Sequence, residues 1–127
     1  MPHTAVYAAL LALLFLGLSV RVIRLRQAFQ VALGDAGEKS LKRAIRVQAN
    51  FTEYVPLCLL LLYFVESGQA PAALVHGLGV ALLMGRSLHA FGVSHVEENL
   101  RFRVAGMAIT FGVLLLSALY LLYRYWV

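Results

Sequence analysis

The sequence predicts an all-α membrane protein built as a four-transmembrane-helix bundle. Three observations carry that expectation. Of 127 residues, 61% are hydrophobic and only 13% charged, with a mean hydropathy of +0.80, whereas a soluble domain of this length needs far more polar surface. The apolar residues gather into four segments of about 20 residues each, the length that crosses a bilayer core. Those spans and their loops account for the whole chain, so a single domain over residues 1–127 is expected.

The first span is expected at about 4–22. No Lys or Arg precedes it, and Arg21, Arg24 and Arg26 cluster at its end. That pattern reads as a signal-anchor helix with its N-terminus outside rather than a cleaved secretory signal. Gly34-Asp35-Ala36-Gly37 is a turn. A helix starts near Glu38, with Glu38 and Lys42 as an i, i+4 pair, and enters a second span at about 44–65. Pro56 removes one backbone donor inside it and predicts a local bend. The link over 66–71 is so short that spans two and three must be antiparallel neighbours.

The third span is expected at about 72–91. Gly77, Ala81 and Gly85 recur every fourth residue there, a small-residue face that lets another helix approach closely. A polar loop over about 94–101 precedes the fourth span, at about 103–123. Tyr120, Tyr123, Tyr125 and Trp126 form an aromatic belt at its end.

The net charge of +5 is explained by topology. The first loop region carries Arg21, Arg24, Arg26, Lys39, Lys42, Arg43 and Arg46; the third carries Arg101 and Arg103; the opposite side has only Arg124. The positive-inside rule then puts both basic loops in the cytoplasm and both termini outside. No basic stretch is free of an adjacent span, so nucleic acid is not an expected partner. Cys58 is the only cysteine and lies in a span, which permits no internal disulfide and reads as an apolar filler. His3, His76 and His95 show no metal-ligand spacing, and no metal is expected.

The most informative segment is Arg46 through Tyr54, RVQANFTEY, which opens an apolar run. Arg46, Asn50 and Glu53 fall at i, i+4 and i+7, on one helix face. Such groups are costly near hydrocarbon unless something polar meets them, so the stripe reads as a polar-ligand site. Each residue also has a plainer role. Arg46 can be a helix-start anchor, Asn50 a helix–helix hydrogen bond, Glu53 a partner of Arg86 or Arg46, and Tyr54 packing. Arg24 and Arg26 can serve topology and lipid headgroups, the role assigned to Arg21. Arg86 lies in the third span with His89 one turn on, and an arginine there faces the bundle or a wet cavity.

The order of these segments resembles the MAPEG family, membrane-associated proteins in eicosanoid and glutathione metabolism. RVQANFTEYVPL resembles that family's second-helix motif, R-x-x-x-N-x-x-E followed by an aromatic and a proline. VIRLRQAF resembles the start of its first loop, GRSLHAFG its third-helix pattern, and LRFRVAGMAITFGV the start of its fourth helix. The short first loop with GDAG looks most like the small bacterial inner-membrane branch.

The resemblance implies a homotrimer of four-helix subunits in the inner membrane. It also implies glutathione bound between subunits near the cytoplasmic side, with lipids and a lipophilic small molecule as further partners. Glutathione carries two carboxylates, an ammonium, amides and a thiol. By resemblance, Arg46 meets a carboxylate through a bidentate fork. Asn50 meets the peptide part, and Glu53 faces the ammonium end with Tyr54 beside it. Arg24 or Arg26 reaches a carboxylate, and Arg86 with His89 lines the site. Arg103 aligns with the family arginine that stabilises the thiolate, with Arg101 as the alternative register. The sequence departs from several family enzymes where they carry tyrosines near the substrate groove; Phe91, Val93 and Met107 stand there and donate no hydroxyl hydrogen bond. The expected activity is a glutathione-dependent transferase or peroxidase acting on lipophilic electrophiles. The alternative is a non-catalytic lipid-binding or scaffold protein of the same fold. Transport is disfavoured because there is no repeat of spans and no broken helix.

Overall fold

A computed structural model describes residues 2–127 as four antiparallel helices. They are α1 His3–Phe29, α2 Lys39–Ser67, α3 Ala72–Ser94 and α4 Leu100–Trp126. All four are long and apolar enough to cross a membrane. Each is longer than the span expected from hydropathy, because the helices continue past the apolar stretch into polar ends. Arg21, Arg24 and Arg26 therefore lie on α1 itself, and Arg101 and Arg103 on the first turn of α4.

The connections are tight. α1 ends at Gln30 in the left-handed conformation (φ 55°). The expected turn forms with Gly34 and Gly37 at φ 69° and 78°, and the Asp35 carboxylate accepts from the Gly37 N–H at 2.8 Å. Glu38 caps α2 with extended backbone, and its carbonyl accepts from the Lys42 N–H at 2.9 Å. The expected Glu38–Lys42 side-chain ion pair is not formed. The ion pairs among the described residues are Arg43–Glu98, Arg46–Glu53 and Arg103–Glu98. α2 runs unbroken through Pro56. The loop before α4 is shorter than expected, only 95–99. Asn99 closes it, its side chain accepting from the Arg101 N–H at 3.1 Å.

Packing follows the apolar period. On α2 the buried residues are Leu41, Ala44, Val47, Phe51, Val55, Cys58, Leu62 and Val65. Each is three or four residues from the next, which keeps one seam facing the bundle along the whole helix. α2 touches each other helix, whereas α1 and α4 do not meet. The main core joins this seam to Leu11 and Leu18 of α1, Val75, Leu78 and Leu82 of α3, and Val113 of α4. Leucines such as Leu13, Leu16, Leu115 and Leu119 remain exposed around the perimeter, as a lipid-embedded bundle requires.

α3 and α4 approach most closely, and glycines permit it. A Cβ on Gly106 would stand 2.6 Å from the Gly85 carbonyl oxygen and 2.7 Å from the His89 nitrogen. Gly85 thus serves the close approach expected of it. Gly77 does not, for nothing lies within 4 Å of its Cβ position. At the end opposite the basic loops, the Glu66 carboxylate accepts from the N–H groups of His3 and Thr4, the latter at 2.9 Å. A carboxylate at a helix N-terminus satisfies orphan donors and opposes the helix dipole. Tyr7 reaches His76 Nδ1 at 2.7 Å from the same helix turn.

Gly106→Ala is expected to cost about 1–3 kcal/mol, because the clash is with backbone and has no rotamer to relieve it. Gly112→Ala, with open space at its Cβ, is expected to leave stability unchanged or slightly raised. Thermal melts of the two variants in detergent check the contrast.

Candidate functional site

The basic ends of α2 and α4 converge on one cleft. Lys39, Lys42, Arg43 and Arg46 project from the first two turns of α2 at helical spacing, so they share a face. Arg103 comes from the first turn of α4, and Val93 and Val96 from the end of α3 and its loop. Together these seven residues line a cleft of about 410 Å³. Five cations around one cleft make an anion site whose local potential does not depend on the net charge of the chain.

Glu98 stands among these arginines. Its Oε1 accepts from Arg43 Nη1 at 3.0 Å and from Arg103 Nη1 at 3.3 Å. Burial pushes its carboxyl up, but the Arg43 hydrogen bond and charge, with the Arg103 charge, more than offset this and hold it below the usual carboxylate range. Arg43 also donates to the Val93 carbonyl at 3.3 Å, which ties α2 to the end of α3.

A second groove of about 410 Å³ begins at the same arginine. Leu100, Val104, Met107, Ala108 and Phe111 of α4 line it, and Arg103 closes one end. Its walls are apolar and open to the outer surface of the bundle. Arg103 therefore borders a cationic cleft on one side and a hydrophobic groove on the other.

The structure divides the residues expected to form a site. Arg46 and Arg103 come together in the cleft. Glu53 does not line it. It pairs with Arg46 at 3.8 Å and sits with Ile45, Gln48, Ala49 and Thr52 on an open face of α2. Both partners are about half exposed, so this is no buried ion pair. Tyr54 is half buried and packs edge-on against Phe111, at 5.5 Å between ring centroids. Arg24 is exposed on the outer stripe of α1 with Arg21, while Arg26 donates to the Gly34 carbonyl at 2.8 Å. Within one chain neither reaches the cleft.

Arg86, His89 and Asn50 are also placed differently from the expected ligand contacts. Arg86 is 1% exposed. Its Nη2 donates to Asn50 Oδ1 of α2 and to His89 Nδ1 at 3.2 Å; its Nη1 reaches Thr110 Oγ1 at 3.4 Å and Met107 Sδ at 3.7 Å, both on α4. Its Nε has no partner. Arg86 thereby forms a buried strut that links α2, α3 and α4, because a guanidinium in the bundle interior must find acceptors there. Asn50 thus makes the helix–helix hydrogen bond that was its plainer reading.

The cleft also contains residues not singled out from the sequence. Lys39, Lys42 and Arg43 repeat with Arg46 at spacings of three and four, a signal present in the chain but overshadowed by the more unusual Arg46–Asn50–Glu53 stripe. Glu98 had no such signal, since a loop residue has no periodicity to place it.

Four membrane-length helices enclosing a buried polar strut, with a cationic cleft at one end, define a multi-pass integral membrane protein. The chain belongs to the MAPEG family, which it matches over residues 4–123. It is 41% identical over 116 residues to the inner membrane protein YecN of Escherichia coli strain K12, a match covering 91% of this chain and 87% of the relative. The same figures hold for YecN of Escherichia coli O6:H1 strain CFT073.

Replacing Arg86 by Met is expected to leave the Asn50 carbonyl without its donor and to cost about 1–3 kcal/mol. Adding Asn50→Leu should recover part of that loss, read from melting of the single and double variants in detergent. For Glu98 the depressed folded-state value sets the sign. Its stabilising contribution is present above the unfolded value of about 4.3 and disappears as pH falls through the lower folded value. Protection of the 95–99 amides against hydrogen exchange, taken relative to the intrinsic rate, should therefore fall as pH drops through the folded value, and Glu98→Gln should remove that pH step.

Proposed function

We propose that this protein is a glutathione-dependent transferase or peroxidase of the inner membrane, acting on lipophilic electrophiles. One observation carries the reading: Arg103 is shared between the cationic cleft and the apolar groove. A charged tripeptide and a hydrophobic molecule would meet at that guanidinium.

The donor set fits the tripeptide. Lys39, Lys42, Arg43 and Arg46 offer ammonium and guanidinium donors to two carboxylates. Bound glutathione would supply the nucleophilic sulfur. A free thiol has a pKa of about 8.5, so little is ionised at neutral pH. Arg103 favours the anion, and each unit by which it lowers that value corresponds to about 1.4 kcal/mol. The Leu100–Phe111 groove admits the electrophile and keeps water from it.

The open face of α2 completes the proposal. Arg46, Gln48, Thr52 and Glu53 lie within a membrane-length helix, where lipid is a poor neighbour for them. A second copy of the chain covers that face in a homotrimer. There Glu53 meets the ligand's ammonium end, and Arg24 or Arg26 arrives from the neighbouring α1. Both basic loops lie on the cytoplasmic side with the termini opposite. The membership in the MAPEG family and the similarity to an inner membrane protein of Escherichia coli support the membrane assignment. A non-catalytic scaffold is the second reading. The internal use of Asn50, Arg86 and His89 favours it, since these serve the fold in a single chain.

Melting in detergent with millimolar glutathione separates the two. A ligand at 100 times its Kd stabilises by about 2.7 kcal/mol, and no shift would favour the scaffold. Arg103→Ala should keep binding within about threefold but abolish the thiolate ultraviolet band; survival of the band would assign thiolate stabilisation to another residue, with Arg101 first in line.

A further inference from the structure

We infer that Glu98 is the built-in counter-anion of the cleft, a positioning residue that holds Arg103 at rest and yields that guanidinium to an arriving thiolate. The inference rests on the proposed thiol site and names a determinant of it that lies outside the helices.

Glu98 is the one carboxylate bonded to cations of the cleft wall other than Arg46, and both of its partners, Arg43 and Arg103, line the cleft. Its two bonds are unequal. The Arg43 contact is 3.0 Å and its side chain is 28% exposed, whereas the Arg103 contact is 3.3 Å with a side chain 52% exposed. The longer and wetter bond is the one that exchanges more readily. The Glu98 side chain is itself only 8% exposed, and both bonds use Oε1; Oε2 is buried without a partner. A carboxylate left half satisfied where water is scarce is not locked in place. Arg43 retains it when Arg103 turns toward the cleft.

Glu98 and a thiolate would compete for one guanidinium. Around the carboxylate stand Arg43 of α2, His89 of α3 and Arg103 of α4, so Glu98 supplies the negative charge that opposes ionisation of the bound thiol. On ionisation the thiol proton passes to water, Arg103 transfers its hydrogen bond from Oε1 to sulfur, and no other bond changes. Glu98 thereby sets the pH at which the site becomes reactive and keeps Arg103 from recruiting weaker anions.

The test uses the full-length protein in detergent with glutathione, following thiolate absorbance against pH. Glu98→Gln is expected to lower the ionisation midpoint by about one pH unit, a tenfold gain in thiolate at a given pH below it. Affinity for S-methylglutathione, which has no ionisable thiol, should change by less than about twofold. Glu98→Asp draws the carboxylate back by one methylene and should move the midpoint in the same direction by less; it also serves if the Gln variant does not fold. A midpoint that stays or rises in the variant that folds overturns the inference. If the natural protein shows neither a thiolate band nor a melting shift with glutathione, the thiol reading fails by itself. Inorganic phosphate then becomes the probe: Glu98→Gln should bind it several-fold more tightly, and equal affinity would overturn the role of Glu98 as counter-anion.

Discussion

A guanidinium buried among hydrophobic helices organises the interior of this bundle. Arg86 is 1% exposed and reaches Asn50 on α2, His89 on its own helix, and Thr110 and Met107 on α4. In hydrocarbon such a group has no water to fall back on, so its acceptors must be supplied by neighbouring helices at fixed heights. The strut therefore sets the register of three helices against one another. The close approach of α3 and α4 at Gly85 and Gly106 depends on the same register, because backbone faces backbone there.

That registration is what brings the cleft together. Arg43 and Arg46 lie two turns and one turn before Asn50 on α2, and Arg103 lies two turns before Thr110 on α4. Pinning Asn50 and Thr110 to Arg86 carries the two helix starts to the same level. The cations then face each other across the 95–99 loop, with Glu98 between two of them. Charge repulsion among five cations is tolerable because the helix ends are wet and two carboxylates are at hand, Glu98 and Glu53.

The single chain is also an unfinished surface. Its perimeter mixes exposed leucines, suited to lipid, with the Arg46–Glu53 pair, which is not. The polar face of α2 adjoins Arg46 and the apolar groove of α4 adjoins Arg103, both of which line the cleft. An assembly that covers the first while leaving the second open to lipid is consistent with chemistry between a water-soluble thiol and a membrane-dissolved partner.

The spans, their antiparallel order and the turn at Gly34-Asp35-Ala36-Gly37 were legible in the chain, because apolar length, short links and glycine punctuation act locally. The placement of Arg46 and Arg103 at the edges of their spans was legible too, since charge there is conspicuous. Two things escaped it. Asn50 and Arg86 share no sequence proximity, so their mutual satisfaction, and with it the loss of both from the open cleft, depended on how α2, α3 and α4 pack. Glu98 sits in a loop, where its alignment with Arg43, far away in the chain, follows only from the level at which α2 and α4 begin. Hydropathy determines that helices cross; which polar groups meet inside is decided by their relative height and rotation, and those exist only in the folded bundle.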